Sequence, residues 1–178
     1  MSAAEPVTGL LVRERHNLLA TLARVPEAHR TARPAAGAWS ATEILEHCAR
    51  VEGGVAKLLA MRAAQPLTAT AEEVAAGALT EQKVRAVRIR DQKLAAPDRV
   101  QPTGTLTEDA AVQQAAASRA ALLEAFANTP DAVLDGAVHP HPYIGQLTLR
   151  AWVQLIAHHD ARHAEQMSEV AAHWESAT

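Results

Sequence analysis

The chain has 178 residues, 48% of them hydrophobic and 21% charged, a length and balance that suit one globular domain spanning 1–178 with a buried core. Its formal net charge of −3, with no block of like charges, excludes a generic nucleic-acid binder, which would present a basic face. No apolar stretch is long enough to span a bilayer, and Met-Ser-Ala-Ala-Glu-Pro at the start has neither a basic nor an apolar signal segment, so no membrane association is expected.

Alanine, leucine, arginine, glutamate and glutamine dominate, aromatics make up 3%, and this composition predicts an all-α fold. The first helix is expected from about Thr8 to Val25, with Leu11, Leu18, Leu22 and Val25 on its apolar face and Arg13, Glu14, Arg15 and Asn17 on a solvated one. Pro26, Pro34 and Gly37 mark a loop. Ser40 and Glu43 then form an S-x-x-E capping box, with Trp39 and Ile44 placed for a hydrophobic staple. The stripe of this second helix runs through Ile44, Cys48, Val51, Val55 and Leu58 to about Arg62, and Gly53 and Gly54 within it suggest close approach of a neighbouring element.

Residues 63–79 read as a loop with a short helical piece. Thr80 opens a third helix, striped by Val84, Val87, Asp91 and Leu94 and ending before Pro97. Pro97, Pro102 and Gly104 mark a crossing loop, and Thr107 caps a fourth helix to about Ala127 with Val112, Ala115, Leu122 and Phe126 inward. Pro140 and Pro142 keep the segment His139–Gly145 out of helix. The last helix runs from near Thr148 to about Trp174, striped by Trp152, Ile156, His159, His163, Met167, Val170 and Trp174.

Three histidines fall on these inward faces. His47 lies between Ile44 and Val51, while His159 and His163 are four residues apart and therefore stacked on one face of the last helix. Such a pair can offer two imidazole nitrogens to one cation, and His47 from a facing helix would supply a third ligand and leave one position open. The bland alternative is three core histidines hydrogen-bonded to backbone. His158 is expected to be partly exposed or behind the ligands, His16, His29 and His173 to be surface residues, and Cys48 to pack as a small hydrophobe. The single cysteine suits a reducing cytoplasm.

The blocks Trp39-Ser40-Ala41-Thr42-Glu43-Ile44-Leu45-Glu46-His47, His141-Pro142-Tyr143-Ile144-Gly145-Gln146-Leu147-Thr148, and Trp152 followed by His159-Asp160-Ala161-Arg162-His163-Ala164-Glu165-Gln166-Met167 occur in one order along the chain. Together they resemble the three signature blocks of the DinB-like superfamily, to which bacillithiol S-transferases belong. The resemblance implies a four-helix bundle with a long crossover connection, binding one divalent metal ion, zinc or nickel, through His47, His159 and His163. It implies chemistry on a small-molecule thiol or electrophile by a thiol S-transferase, or on water by a hydrolase. Arg162 or Gln166, about one turn from the ligands, would then orient an anionic substrate, unless Arg162 is simply a surface residue, and His141 or Tyr143 would line the mouth unless their segment is simply a rigid turn aiming the last helix. The alternative is a non-catalytic, stress-associated metal-binding bundle; a homodimer through an apolar helix face would suit either reading.

Overall fold

A computed structural model describes residues 6–90 and 95–176. Four long helices make the frame: α1 (Val7–Arg24), α2 (Ala41–Ala63), α5 (Glu108–Asn128) and α7 (Leu149–Ser176), with the short helices α3 (Ala71–Ala76), α4 (Glu81–Arg88) and α6 (Asp131–Gly136) between them. α1 packs along α7 and α2 along α5, while the long connection from α2 to α5 carries α3 and α4 across the bundle and lays α4 on α7. None of the described helices is long and apolar enough to cross a membrane.

The start of α2 is fixed locally. Ser40 Oγ accepts from the Glu43 amide at 3.2 Å, and Glu43 Oε2 accepts from the Ser40 amide at 2.8 Å, which satisfies two donors at the helix end. Arg33 then holds the Glu43 carboxylate through its Nε, 2.9 Å from Oε2. Thr80 and Thr107 cap α4 and α5 in the expected way.

The segment before α7 is a small antiparallel ladder. β1 (Val138–His141) pairs with β2 (Gly145–Thr148) in the register Val138 to Thr148 and His141 to Gly145, and Gly145 supplies the positive φ of 75° that the turn needs. β2 also lies on the end of α3, where the Thr148 amide donates to the Gly77 carbonyl at 2.8 Å. A Cβ on Gly77 would stand 2.9 Å from that same nitrogen, so the contact needs glycine.

The core has three layers. One apolar cluster gathers around Leu11, Val55, Leu59, Leu122, Trp152 and Ile156, and another around Leu18, Ile44, Leu45, Cys48, Met167 and Val170. Between them lies a buried layer of charge to which each long helix contributes: Arg15 from α1, Glu52 from α2, Ser118 and Arg119 from α5, and Asp160 from α7.

Four details differ from the periodicity. Arg15 is not on the solvated face but 6% exposed, because Glu52 and Asp160 receive its guanidinium inside the bundle. Gly53 and Gly54 meet nothing, since a Cβ on either would find no atom within 4 Å, so no element approaches them. The inward face of α5 starts with Ala111 and not with Val112, which is 36% exposed; the smaller side chain fits where α5 lies close along α2. Helix α4 stops at Arg88 with Ile89 already extended, and the Asp91 and Leu94 of the expected stripe lie outside the described residues.

Candidate metal centre

The capping box fixes the phase of α2, so that His47 faces α7 from a position 5% exposed. On α7 the one-turn spacing brings His159 and His163 to the same place, with His163 6% exposed and His159 partly buried. The three rings converge through their Nε2 atoms: His159 Nε2 lies 3.2 Å from His47 Nε2 and 3.2 Å from His163 Nε2. Trp39 covers the rings from the α2 side, its centroid 4.8 Å from that of His47.

The far side of each ring decides what these nitrogens can do. His47 Nδ1 sits 2.8 Å from the Val100 carbonyl, which can only accept, so Nδ1 carries the proton and Nε2 the lone pair. Val100 closes a single 3-10 turn, Asp98–Val100, of the crossover, so the connection itself orients this ligand. His163 Nδ1 is 2.8 Å from Gln166 Oε1, and donation to that amide oxygen again leaves Nε2 free. Two lone pairs therefore face His159 Nε2, whose single proton could satisfy only one of them. His159 Nδ1 is meanwhile buried with no hydrogen-bond partner.

A cation resolves this arrangement. Zinc–imidazole bonds of roughly 2.0–2.1 Å in a tetrahedral set place their nitrogens about 3.4 Å apart, and the two spacings of 3.2 Å observed here are close to that. Burial pushes the pKa of all three histidines below the ordinary imidazole value, and nearby cationic groups, Arg162 among them, push in the same direction. The rings are thus neutral near pH 7, the form in which imidazole donates to a metal.

A second group brings Cys48, His159 and Asp160 within 4.8 Å of one another. It is poorly suited to a cation, because burial and the neighbouring Asp160 raise the Cys48 pKa and keep the thiol protonated. Asp160 is committed as well: its Oδ2 receives Arg15 Nε and Arg119 Nη2, each at 2.9 Å. Glu52 completes the layer, accepting from Arg15 Nη2 at 3.0 Å, Arg119 Nε at 2.5 Å and Ser118 Oγ at 2.6 Å. The arginines also reach main chain across the bundle, Arg15 to the Ala115 carbonyl and Arg119 to that of Leu11. Both histidine-bearing helices, α2 through Glu52 and α7 through Asp160, are therefore gripped by the same two guanidinium groups.

Other residues singled out in the sequence take varied places. Arg162 points its Nη1 to the carbonyls of Val87 and Ile89, holding the end of α4 against α7. Gln166 serves His163, as described. His141 lies tilted against Trp152, with centroids 5.0 Å apart, and its Nδ1 accepts from the Tyr143 amide; burial lowers its pKa to about 4. Tyr143 is 49% exposed and donates its hydroxyl to the Ala95 carbonyl. His158 is partly buried away from the three rings, beside Leu10 and Val84. His16 and His173 are exposed, whereas His29 lies flat on Trp174 with centroids 4.2 Å apart. The charged layer and the Val100 carbonyl escape the sequence reading. Arg15, four residues after Leu11 and three before Leu18, carried a signal in its position on the apolar stripe.

The model of the DinB superfamily matches residues 10–167. Among curated proteins, the uncharacterized protein YuaE of Bacillus subtilis (strain 168) is 26% identical over 139 residues, covering 78% of this chain and 80% of its own. Among solved structures, the crystal structure of TT2238, a four-helix bundle protein, superposes with a TM-score of 0.59 at 23% identity over 92% of this chain and 96% of that one. The latter similarity is one of fold.

Proposed function

The chain belongs to the DinB superfamily, and from that premise we propose that it is a metal-dependent enzyme of small-molecule thiol chemistry. His47, His159 and His163 are the protein ligands of one divalent ion, zinc or nickel, since neutral imidazoles suit both. The observation that carries this reading is the convergence of three Nε2 atoms while two of the Nδ1 atoms are tied to acceptors behind them. An ion held there by three ligands supplies a Lewis acid that lowers the pKa of a thiol or water brought to its remaining position.

The chain's own residues do the rest. The Val100 carbonyl and Gln166 fix the tautomers, Trp39 shields the rings, and the Arg15–Glu52–Arg119–Asp160 layer holds α2 and α7 at the spacing the ligands need. The preferred reaction is S-transfer from a low-molecular-weight thiol to an electrophile in the cytoplasm, with hydrolysis the variant in which water replaces the thiol. A bundle that holds metal without turnover is the second reading. It is favoured by the carboxylates nearest His47 in sequence being engaged already, Glu43 by Arg33 and Ser40 and Glu46 by Thr103, so that neither is free to act as a general base.

The deciding experiment is elemental analysis of protein purified without nickel chromatography, beside His47→Ala, followed by thiol-conjugation rates of the loaded protein and His163→Ala. About one metal per chain, lost in the first variant, with conjugation lost in the second, is the expected result. No metal in either protein after incubation with excess zinc or nickel would withdraw the metal reading. Metal without a rate difference would leave the non-catalytic one.

A further inference from the structure

Helix α4 lies on α7, yet together with α1 the two leave a cavity of about 440 Å³ that opens to solvent. That volume falls within the roughly 300–1,000 Å³ of clefts that hold small molecules. None of His47, His159 and His163 lines it, so it is distinct from the metal centre. Its apolar wall comes from Leu10 of α1, Leu79 just before α4, and Val84 of α4, all three half-buried. Leu10 and Leu79 also pack against the core, which holds this wall in place without a ligand.

The polar groups of the cavity are uncommitted. Gln154 and His158 stand one turn apart on α7 and line it from half-buried positions. Neither side chain makes a hydrogen bond or ion pair with any described residue. On the α4 side, Glu81 and Arg85 are also one turn apart, with the acid first, the order in which two such side chains attract best along a helix. Both line the cavity, and neither forms an ion pair with the other or with another described residue. The further charges that act on His158 are already matched: Arg13 holds Glu14 at 3.0 Å, and Arg88 holds Glu165 at 2.8 Å.

We propose that this cavity binds an α-amino acid with a large apolar side chain. The inference is independent of the function proposed for the three histidines. The ligand's apolar side chain covers Leu10, Leu79 and Val84 and removes their exposed faces from water. Its ammonium meets Glu81 and its carboxylate meets the Arg85 guanidinium, two side chains whose Cβ atoms stand roughly 5–6 Å apart on adjacent turns. Gln154 and His158 offer both donors and acceptors to the same polar end of the ligand. A plain carboxylic acid would lie against Glu81 with like charge, and a plain amine would lie against Arg85 in the same way. A zwitterion alone matches both, so the uncommitted pair selects against either half-ligand.

The test follows the methyl signals of Leu10, Leu79 and Val84 by NMR in the full chain, with and without zinc. The probes are phenylalanine, hydrocinnamate, which lacks the ammonium, phenethylamine, which lacks the carboxylate, and glycine, which lacks the apolar body. Phenylalanine should shift these signals equally with and without zinc and bind about threefold more tightly than either half-ligand, the scale of an exposed ion pair. Glycine should shift nothing. Glu81→Gln should abolish the advantage over hydrocinnamate, and Arg85→Gln the advantage over phenethylamine; both positions are exposed, so the fold tolerates the changes. Equal affinity for the three aromatic probes would overturn the proposal, as would silent methyl signals up to about 10 mM phenylalanine. So would glycine binding as tightly as phenylalanine. A preference for phenylalanine that needs zinc and survives both substitutions would overturn it too, because the amino acid would then be chelating the ion at the histidines.

Discussion

Gln166 is the one side chain in the centre whose loss separates ligand orientation from folding. His47 is held through the main-chain carbonyl of Val100, which substitution cannot remove, whereas His163 depends on Gln166 Oε1 at 2.8 Å from its Nδ1. In Gln166→Leu the imidazole loses the acceptor that selects its tautomer and fixes its rotation, and the Nε2 lone pair is no longer guaranteed toward His159. Such outer partners of metal-bound histidines are worth about 10–100-fold in affinity, or roughly 1.4–2.7 kcal/mol. Gln166 is only partly buried and leucine tolerates its helix, so folding stability should move by less than about 0.5 kcal/mol. Gln166→Glu supplies the opposite sign, because a carboxylate behind the ring raises its basicity and should tighten binding relative to wild type. The assay is competition for zinc against a chromogenic chelator, with urea unfolding of the metal-free proteins as the control. Equal zinc affinity in all three proteins would refute the ligand role of His163, or its dependence on this hydrogen bond.

Two further outcomes follow from buried charge. Asp160→Asn takes one acid from the central layer and leaves Arg15 and Arg119 sharing Glu52 alone; removing one partner of such a buried set costs about 3–5 kcal/mol, measurable by urea unfolding. A loss under about 1 kcal/mol would mean that water reaches the layer and screens it. The second concerns pH. Burial depresses the folded pKa of His47, His141, His158, His159 and His163 below 6.5, so the unfolded chain binds more protons than the folded one in mild acid. Their contribution is complete above pH 6.5 and is lost as pH falls from there toward the depressed values, of which His141 at about 4 is one. Metal-free protein should therefore unfold at lower urea at about pH 5.5 than at about pH 7.5; identical midpoints would contradict the assigned burial.

The parts legible in the sequence are those set by local chemistry. Ser40 and Glu43 announce the start of α2, and once that start is fixed the phase of His47 follows; the spacing of His159 and His163 does the same on α7. What escaped depends on partners far along the chain. Arg15 looks like a solvated residue until Glu52 and Asp160 arrive from α2 and α7. The end of α4 is set by Arg162, more than seventy positions away, taking the carbonyls that a longer helix would have used internally. The prolines of the His139–Gly145 segment ruled out helix correctly, but nothing in their spacing revealed the ladder with Thr148. The tautomer of His47 hangs on a carbonyl in the crossover, and a carbonyl leaves no mark on the identity of its residue.

The layered interior also bears on how this chain finds one arrangement among many. Much of the core on α5 and α7 is alanine, as at Ala111, Ala115, Ala157, Ala161, Ala164 and Ala171, and small side chains interlock poorly. Helices built that way could slide past one another by a turn, about 5.4 Å, at little loss of apolar contact. The belt of charge forbids it, since a slip would drive Arg15 or Glu52 into leucine and leave an uncompensated ion behind. The belt thus acts as an alignment mark: it names which rung of each helix meets which. Freed from encoding register, the apolar ends of the bundle can vary in sequence while the histidines keep their place.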